Sequence, residues 1–282
     1  MEWFKSKILK KLFLETTDWN VAWKKENSNC YNVIDNPEGY WLADSLVFSC
    51  CDGIFLFVEA FDKKENIGKI AVLEYDGELF KNFKIILEKD YHLSYPYVFE
   101  FEKEYYMIPE TSGNNCIEIY KAKKFPYEWE KETELLKGCY VDTTIHNDNN
   151  KGLQLYSYDM KKYERVTGTL NLKKYKIENI ITTKDSDYQF RAGGNVFEKD
   201  GNLFRAVQNN EFFYGQKLNI IDCNNSKIVD ELQPTQINND KKKIYRRLHT
   251  YSKSGVFEAV DLSDYRFNLF KFLKKIKGVL KK

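Results

Sequence analysis

The stretch "SYPYVFEFEKEYYMIPET", residues 94–111, decides how this 282-residue chain is read. Two aromatic- and apolar-rich runs flank a charged segment around Glu102, Lys103 and Glu104. Such runs suit a pleated, half-buried surface, and the charged segment between them marks a hairpin turn. The second run stops at Glu110, directly after Pro109, so a carboxylate stands where a strand finishes.

The same design recurs along the chain. "ADSLVFSCCDGIFLFVEAF" begins at Ala43, "VDTTIHNDNNKGLQLYSYD" at Val141, "RAGGNVFEKDGNLFRAVQN" at Arg191, and a weaker copy, "HTYSKSGVFEAVD", at His249. The openers Asp44, Tyr95, Asp142, Arg191 and His249 are almost evenly spaced, with the last step the longest. Their interval is close to the ~40–50 residues of one propeller blade. Long helical periodicity is missing from residues 20–260, which argues against α/β folds. The expected architecture is therefore all-β, a five-bladed β-propeller over residues 18–263 in which each copy supplies the inner hairpin of a blade. "GKIAVLEY" (68–75) and "NCIEIYKA" (115–122) are expected as third strands, and "WNVAWKK" (19–25) as the strand that closes the ring.

Composition narrows the function classes. The formal charge is +2, but Arg266–Lys282 carries seven basic residues and no acidic one. Removing those seven from the total leaves the body at −5, which argues against a nucleic-acid-binding surface. Six cysteines and three histidines form no metal-ligand spacing, and adjacent Cys50 and Cys51 do not suit disulfide geometry. Reduced thiols, no resident metal and no cofactor are the expectation. In residues 1–17, a basic and apolar segment, lysines interrupt what a signal peptide would need as a continuous apolar region, so a cytoplasmic location is expected. Residues 264–282 place Leu269, Phe270, Leu273, Ile276 and Leu280 near one helical face. They read as a short basic amphipathic helix suited to an anionic membrane surface at the inner membrane face. A helix packed on protein, with solvated lysines, fits the same pattern.

The repeat also gathers chemistry. Innermost propeller strands line the central channel, so residues at one end of them converge on one mouth. Glu59 follows Asp44, Glu110 follows Tyr95 and Ser157 follows Asp142, all at one constant offset, and Gln208 follows Arg191 at a slightly longer one. An antiparallel hairpin returns each second residue beside its opener. Asp44, Glu59, Glu110, Asp142 and Arg191 are thus expected at one place. Carboxyls around an arginine with aromatics nearby suit glycosyl chemistry, which needs one carboxyl to protonate a leaving oxygen and another to activate an acceptor or attack. Asp44, Glu110 and Asp142 are the catalytic candidates. Glu59, His92, Tyr95, Arg191, Gln208, Tyr214 and His249 are the substrate-binding candidates, with Tyr97 and Tyr106 as further stacking faces. The plainer alternative for each of Asp44, Glu110 and Asp142 is capping of a turn through its side chain or pairing with a basic neighbour. The two glycines of "RAGG" (191–194) read as a close backbone approach to a ligand or to the channel axis, not as a phosphate loop.

The blocks "YWLADSLVF", "GKIAVLEYD", "YHLSYPYVFEFEKEYYMIPETSGNNCIEIYKAKKFPYEWE", "VDTTI", "QFRAGGNVFEKDGNLFRAVQN", "YG" and "LHTYS" carry a family resemblance. Together, over about residues 18–262, the chain resembles the N-terminal propeller domain of plant glucosamine inositolphosphorylceramide transferases and its bacterial relatives. That domain is similar to the five-bladed arabinanase and xylosidase hydrolases. The resemblance implies Asp44 as base, Glu110 as proton donor and Asp142 as the group that tunes or orients it. Two departures stand out: Ala43-Asp44-Ser45 replaces the usual Ala-Asp-Pro, and "HNDNNKG" replaces a cleaner glycine turn.

The functional expectation is a carbohydrate-active propeller in cell-surface polysaccharide or glycolipid assembly, transferring a glycosyl unit from a nucleotide-sugar or other activated donor to a glycan. A glycoside hydrolase using the same paired carboxyls, and a non-catalytic glycan-binding or scaffold module, are the alternatives.

Overall fold

The computed structural model describes residues 14–148, 150–184 and 191–267. Five four-stranded antiparallel sheets follow one another along the chain as propeller blades. Blade 1 runs Tyr40–Cys50, Gly53–Asp62, Ile67–Tyr75 and Phe80–Leu87 from the channel outward. Blade 2 runs Ser94–Phe101, Glu104–Glu110, Cys116–Lys124 and Glu128–Lys137. Blades 3 and 4 open with the hairpins Tyr140–Asp148/Gly152–Asp159 and Ala192–Lys199/Asn202–Asn209. Blade 5 takes its inner hairpin, Tyr251–Ser254 and Phe257–Leu262, from one end of the described chain and its outer strands, Asn20–Lys25 and Asn32–Val33, from the other. Asn20 lies opposite Leu262 and Lys25 opposite Phe257, so the ring closes through the strand expected to close it.

Packing explains why the aromatic content is so high. Blades 1 and 2 share a cluster in which Phe125 meets Phe55, Phe57, Phe48 and Tyr105 with ring centroids 3.9–6.1 Å apart. Trp23, Tyr75, Phe80 and Phe257 form a second cluster where the closing blade meets blade 1. Such rings fill the wedge-shaped space between twisted blades, and edge-to-face pairs add about 0.5–1.5 kcal/mol each beyond area burial.

One local irregularity recurs and shapes the channel. In blade 1, Ala43 opposes Glu59 and the next pair is Leu46 with Phe57, so the inner strand carries one extra residue. Blade 2 repeats this between Ser94–Glu110 and Tyr97–Ile108, and blade 3 between Val141–Tyr158 and Thr144–Tyr156. The bulged segments include Asp44, Tyr95 and Asp142, all with positive φ (49°, 43° and 50°). A bulge of this kind re-aims a side chain, and left-handed non-glycine backbone costs about 1–3 kcal/mol that the surroundings must offset. The constant offset between opener and acid thus has a different origin from simple pairing. Glu59 faces Ala43 across the hairpin and Glu110 faces Ser94, while each opener is turned out of the ladder.

In blade 4 the corresponding position is Gly194, at φ +139°. A Cβ there would lie 1.6 Å from the carbonyl oxygen of Tyr251, so the glycine admits blade 5. The close approach expected of "RAGG" is therefore to a neighbouring blade. Beside it, the Tyr95 hydroxyl contacts Thr144 Oγ1 at 2.9 Å, donates to Gly194 O at 2.8 Å and accepts from Gly194 N–H at 3.0 Å, tying blades 2, 3 and 4 together.

The expected C-terminal helix is corrected at its start. Tyr265–Phe267 is a strand that pairs with Leu14–Thr16, and the Arg266 guanidinium donates to Glu15 at 3.0 Å. The hydroxyl and backbone of Thr17 anchor Asp264 just before it, which fixes an extended entry and overrides the helical pattern. The remainder of that segment, from residue 268, and residues 1–13 lie outside the described residues. All six cysteines are free thiols. Among the described residues no helix is long and apolar enough to cross a membrane.

Candidate functional site

The channel mouth holds a cavity of about 220 Å³ lined by Asp44, Glu59, His92, Glu110, Arg191, Tyr214 and His249, with Trp19, Trp41 and Phe61 beside them. Seven residues named from sequence thus reach one cavity, contributed by blades 1 and 2 and by segments that flank strands of blades 4 and 5. Its size is below the ~300–1,000 Å³ usual for drug-sized ligands, and suits one sugar ring better than several.

Asp44 is the most tightly held of the acids. Its Oδ2 accepts the Tyr95 N–H at 3.1 Å, and its Oδ1 accepts the Thr250 hydroxyl at 3.0 Å and lies 2.9 Å from His249 Nε2. Behind His249 stands Asp261, whose Oδ2 lies 2.9 Å from His249 Nδ1 and accepts the Asp44 N–H at 3.0 Å. The other Asp261 oxygen accepts the N–H groups of His249 and Thr250 at 3.0 and 2.9 Å. Asp261 therefore holds both the imidazole and the left-handed backbone of Asp44. Burial works against ionisation of both Asp44 and His249, but the pair overcomes it. Two carboxylates push His249 up to about 10, and the imidazolium, the Thr250 hydroxyl and the Tyr95 N–H hold Asp44 down at about 2. Ligand atoms of Asp44, His249 and Asp261 also lie within 4.8 Å of one another. A cation there would have to displace the proton that His249 carries between two carboxylates.

Glu110 has the opposite environment. Its Oε1 accepts the Ser112 hydroxyl at 2.8 Å. Burial and the negative charge of Asp142 push it up to about 8 against the pull of Arg191. Glu59 is likewise raised well above the carboxylate range by burial and by the charge of Asp44. Its Oε1 is buried without a directed hydrogen bond, 3.3 Å from His92 Nε2. Because His92 Nδ1 accepts the Gly68 N–H at 2.9 Å, the proton of the neutral ring sits on Nε2, facing Glu59. The mouth thus combines one fixed anion with two carboxyls that keep their protons near neutral pH.

Asp142 stands one step back. It is bound by the Nε and Nη2 atoms of Arg191, the latter at 3.3 Å, and its Oδ2 accepts Gln208 Nε2 at 3.0 Å. Gln208 also donates to Ala192 O at 2.8 Å, so it holds Asp142 and does not line the cavity. Arg191 carries the polar side of the mouth, with its guanidinium 5.6 Å from the Tyr214 ring.

The aromatic faces differ from those expected. Tyr214 is at the cavity, whereas Tyr95, Tyr97 and Tyr106 are buried in the blades: the Tyr97 hydroxyl donates to Ile145 O, and Tyr106 stacks on Phe99. The stacking surface is instead Trp41 on Phe61, with centroids 4.5 Å apart and planes within 8°, together with Trp19, which packs 4.3 Å from His249. Trp19 is itself backed by Arg247 at 4.6 Å. Trp41 and Phe61 are direct cross-strand partners close to the mouth, so the hairpin register contained that signal. Asp261 closes the copy of the repeat that His249 opens, but the shorter hairpin of that copy hides the equivalence.

Residues 14–251 match the family model described as glucosamine inositolphosphorylceramide transferase 1, N-terminal. The chain belongs to that family. Similar curated proteins are the glucosamine inositolphosphorylceramide transferases 1 of Oryza sativa subsp. indica, 28% identical over 216 residues, and of Arabidopsis thaliana, 28% identical over 192. The rice match covers 71% of this chain but 29% of the relative, and the Arabidopsis match 64% and 25%. The chain thus spans under a third of the length of these relatives. Solved structures of the same fold include a β-xylosidase, with TM-score 0.60, 10% identity, and 82% of this chain and 94% of that one covered. The catalytic domain of a Coprinopsis cinerea α-L-arabinofuranosidase gives TM-score 0.58 at 14% identity, with 84% and 85% covered.

Proposed function

We propose that the mouth binds a single glycosyl unit and makes or breaks its glycosidic bond, with Glu110 as proton donor and Asp44 as the fixed anion. The observation that carries this reading is the split between the two carboxyls in one aromatic-lined cavity, one held near 2 and the other near 8. Paired titratable groups driven apart in this way are the pattern of acid–base catalysis. A sugar ring stacked on the Trp41–Phe61 face would present its leaving oxygen to Glu110. Asp44 is too weak a base to take a proton readily, so its main role is to stabilise positive charge developing on the ring, with Asp142 holding Arg191 in place.

Transfer and hydrolysis share these roles and differ in the acceptor, a sugar hydroxyl or water. Family membership supports transfer, and the hydrolase names among the fold neighbours support cleavage. A nucleotide-sugar donor, a cytoplasmic location and attachment of residues 266–282 to an anionic membrane complete the biosynthetic version of the proposal. Loss of liposome binding on removal of 266–282 is its check. A specific observation favours a second reading, a glycan-binding module without turnover. Three of about four acceptor positions on Asp44 are already occupied by protein groups, leaving one on Oδ2.

Glu110→Gln separates these readings. As a catalytic acid, its loss lowers turnover of reporter glycosides or nucleotide-sugars by about 10²–10⁴-fold while glycan affinity persists. Release of free sugar marks hydrolysis and formation of a new glycoside marks transfer. Glycan binding with no turnover by the wild-type protein leaves the binding module.

A further inference from the structure

A second cavity, of about 630 Å³ against about 220 Å³ for the mouth, lies in the cleft between blades 4 and 5 and shares no lining residue with the mouth. It sits at the far end of the inner hairpins. Lys199 pairs with Asn202 at the turn of blade 4, and Lys253 pairs with Glu258 beside the turn of blade 5. Arg191 and His249 precede the same hairpins at the mouth end. We propose that this cleft is a second binding site, for a short uncharged oligosaccharide, which lets the propeller hold a glycan without filling the mouth. The site is independent of the chemistry proposed for the mouth.

The residues that make the last repeat step the longest help to build the cleft. Between the outer strand of blade 4, Ile228–Leu232, and His249 the chain runs through an added segment, of which Gln236, Ile237 and Asn238 line the cavity. That segment is fastened to the loop before Asn32–Val33. The Tyr31 N–H donates to Asn238 O and the Asp240 N–H to Tyr31 O, both at 2.9 Å, and the Asn238 side chain donates to Asn29 O at 3.0 Å. Asn195 joins the two blades directly, donating to Lys253 O at 2.8 Å and accepting the Lys253 N–H at 3.0 Å. The cleft is thus preformed, and its volume falls within the ~300–1,000 Å³ usual for ligand sites.

Its lining joins aromatic surface to hydrogen-bonding groups of both kinds, which is what a sugar chain needs. Tyr31, Phe197, Phe204 and Tyr251 supply the rings, with the Phe197 centroid 5.3 Å from that of Tyr251 and 6.1 Å from that of Phe204. Among them, Glu258 Oε2 accepts the Tyr31 hydroxyl at 3.1 Å and lies 3.3 Å from Lys24 Nζ. Burial and the Glu258 charge push the phenols of Tyr31 and Tyr251 up, so both stay hydroxyl groups. Lys253 pairs with Glu26 at 2.6 Å. Lys24, Lys199 and Lys253 are matched by Glu26, Asp230 and Glu258, so the charged side chains of the lining sum to zero. An ionic ligand would meet like charge alongside opposite charge. A neutral polyol can donate to the carboxylates and accept from the ammonium groups at once.

The test is calorimetric titration with xylotriose, maltotriose and chitotriose, and with trigalacturonic acid as the charged control. Wild type is expected to bind at least one neutral trisaccharide at millimolar concentrations or below, with a component that persists in the mouth variant Trp41→Ala. Phe204→Leu, which keeps apolar packing and removes the ring, is expected to weaken that component about tenfold or more. Val229→Arg places a long side chain at an exposed position of the lining, is expected to do the same, and serves if the leucine variant does not fold. Turnover of reporter glycosides at the mouth should be unchanged in both cleft variants. Binding that survives Trp41→Ala and is lost in the cleft variants, with no turnover by wild type, supports this site and sinks the catalytic reading of the mouth. Binding of no neutral trisaccharide, tighter binding of trigalacturonic acid, or binding lost in Trp41→Ala and untouched in both cleft variants overturns the proposal.

Discussion

Replacing His249 by glutamine tests the electrostatic account of the mouth most directly. The imidazolium sits between Asp44 and Asp261 at 2.9 Å from each, and its side chain is only 5% exposed. Solvent screening is therefore small. Moving a histidine from 6.5 to about 10 corresponds to a stabilisation on the order of 5 kcal/mol, at about 1.4 kcal/mol per tenfold change. Removal of one partner from a buried ion pair independently suggests about 3–5 kcal/mol. Because the folded-state value lies above the unfolded one, the folded protein holds an extra proton in between. The contribution is complete below pH 6.5 and is lost as pH rises through about 10. Urea denaturation followed by tryptophan fluorescence should show a deficit of several kcal/mol for His249→Gln near pH 6.5, shrinking steadily towards pH 10. A remainder of about 0.5–1.5 kcal/mol persists at all pH values from the lost contact with Trp19. A deficit below about 1 kcal/mol at pH 6.5, or one that does not shrink with pH, would refute the reasoning.

Three further outcomes follow from single contacts. Glu110 is raised from 4.5 to about 8, so its contribution to stability is present below pH 4.5 and lost as pH rises through 8. Glu110→Gln should match wild type near pH 4.5 and exceed its denaturation midpoint above pH 8. Tyr95→Phe leaves the Gly194 N–H without its buried partner and should cost about 1–3 kcal/mol in urea melts, with glycan affinity unchanged, because the hydroxyl is engaged by Gly194 and does not line the mouth. Gly194→Ala should abolish soluble folded protein, since its Cβ would collide with Tyr251, whereas Gly201→Ala, in open space at φ +74°, should cost only about 1–2 kcal/mol by thermal melting.

The blade repeat was legible because a half-buried hairpin imposes a local pattern. Apolar runs, a polar turn and a second apolar run recur in "SYPYVFEFEKEYYMIPET" and its counterparts, whatever the surrounding blades do. Ring closure by "WNVAWKK" was legible for the same reason, as an apolar strand left over before the first complete copy. Four of the five residues that the repeat gathers, Asp44, Glu59, Glu110 and Arg191, line the mouth, because equivalent positions in a propeller share one end of the channel, and Asp142 stands one step behind them. At Tyr265–Phe267 local composition points to a helix and loses to partners distant in sequence. Tyr265–Phe267 pairs with Leu14–Thr16 across the whole chain, and no local pattern reports that pairing.

The sequence by itself determined the five blades, their order and the set of acids offered to the channel. Only the tertiary structure decided which of these acids is ionised and which keeps its proton. The inner-strand bulges turn Asp44 and Asp142 inward but spend the Tyr95 hydroxyl on Gly194. His249, itself held by Asp261, keeps Asp44 ionised, while burial and the charge of neighbouring carboxylates leave Glu110 and Glu59 protonated. Strand pattern depends on neighbours along the chain, but a carboxyl's charge depends on burial and on groups from other blades within a few ångströms. Glu110 is a strand end by sequence and a carboxyl protonated near neutral pH by its surroundings.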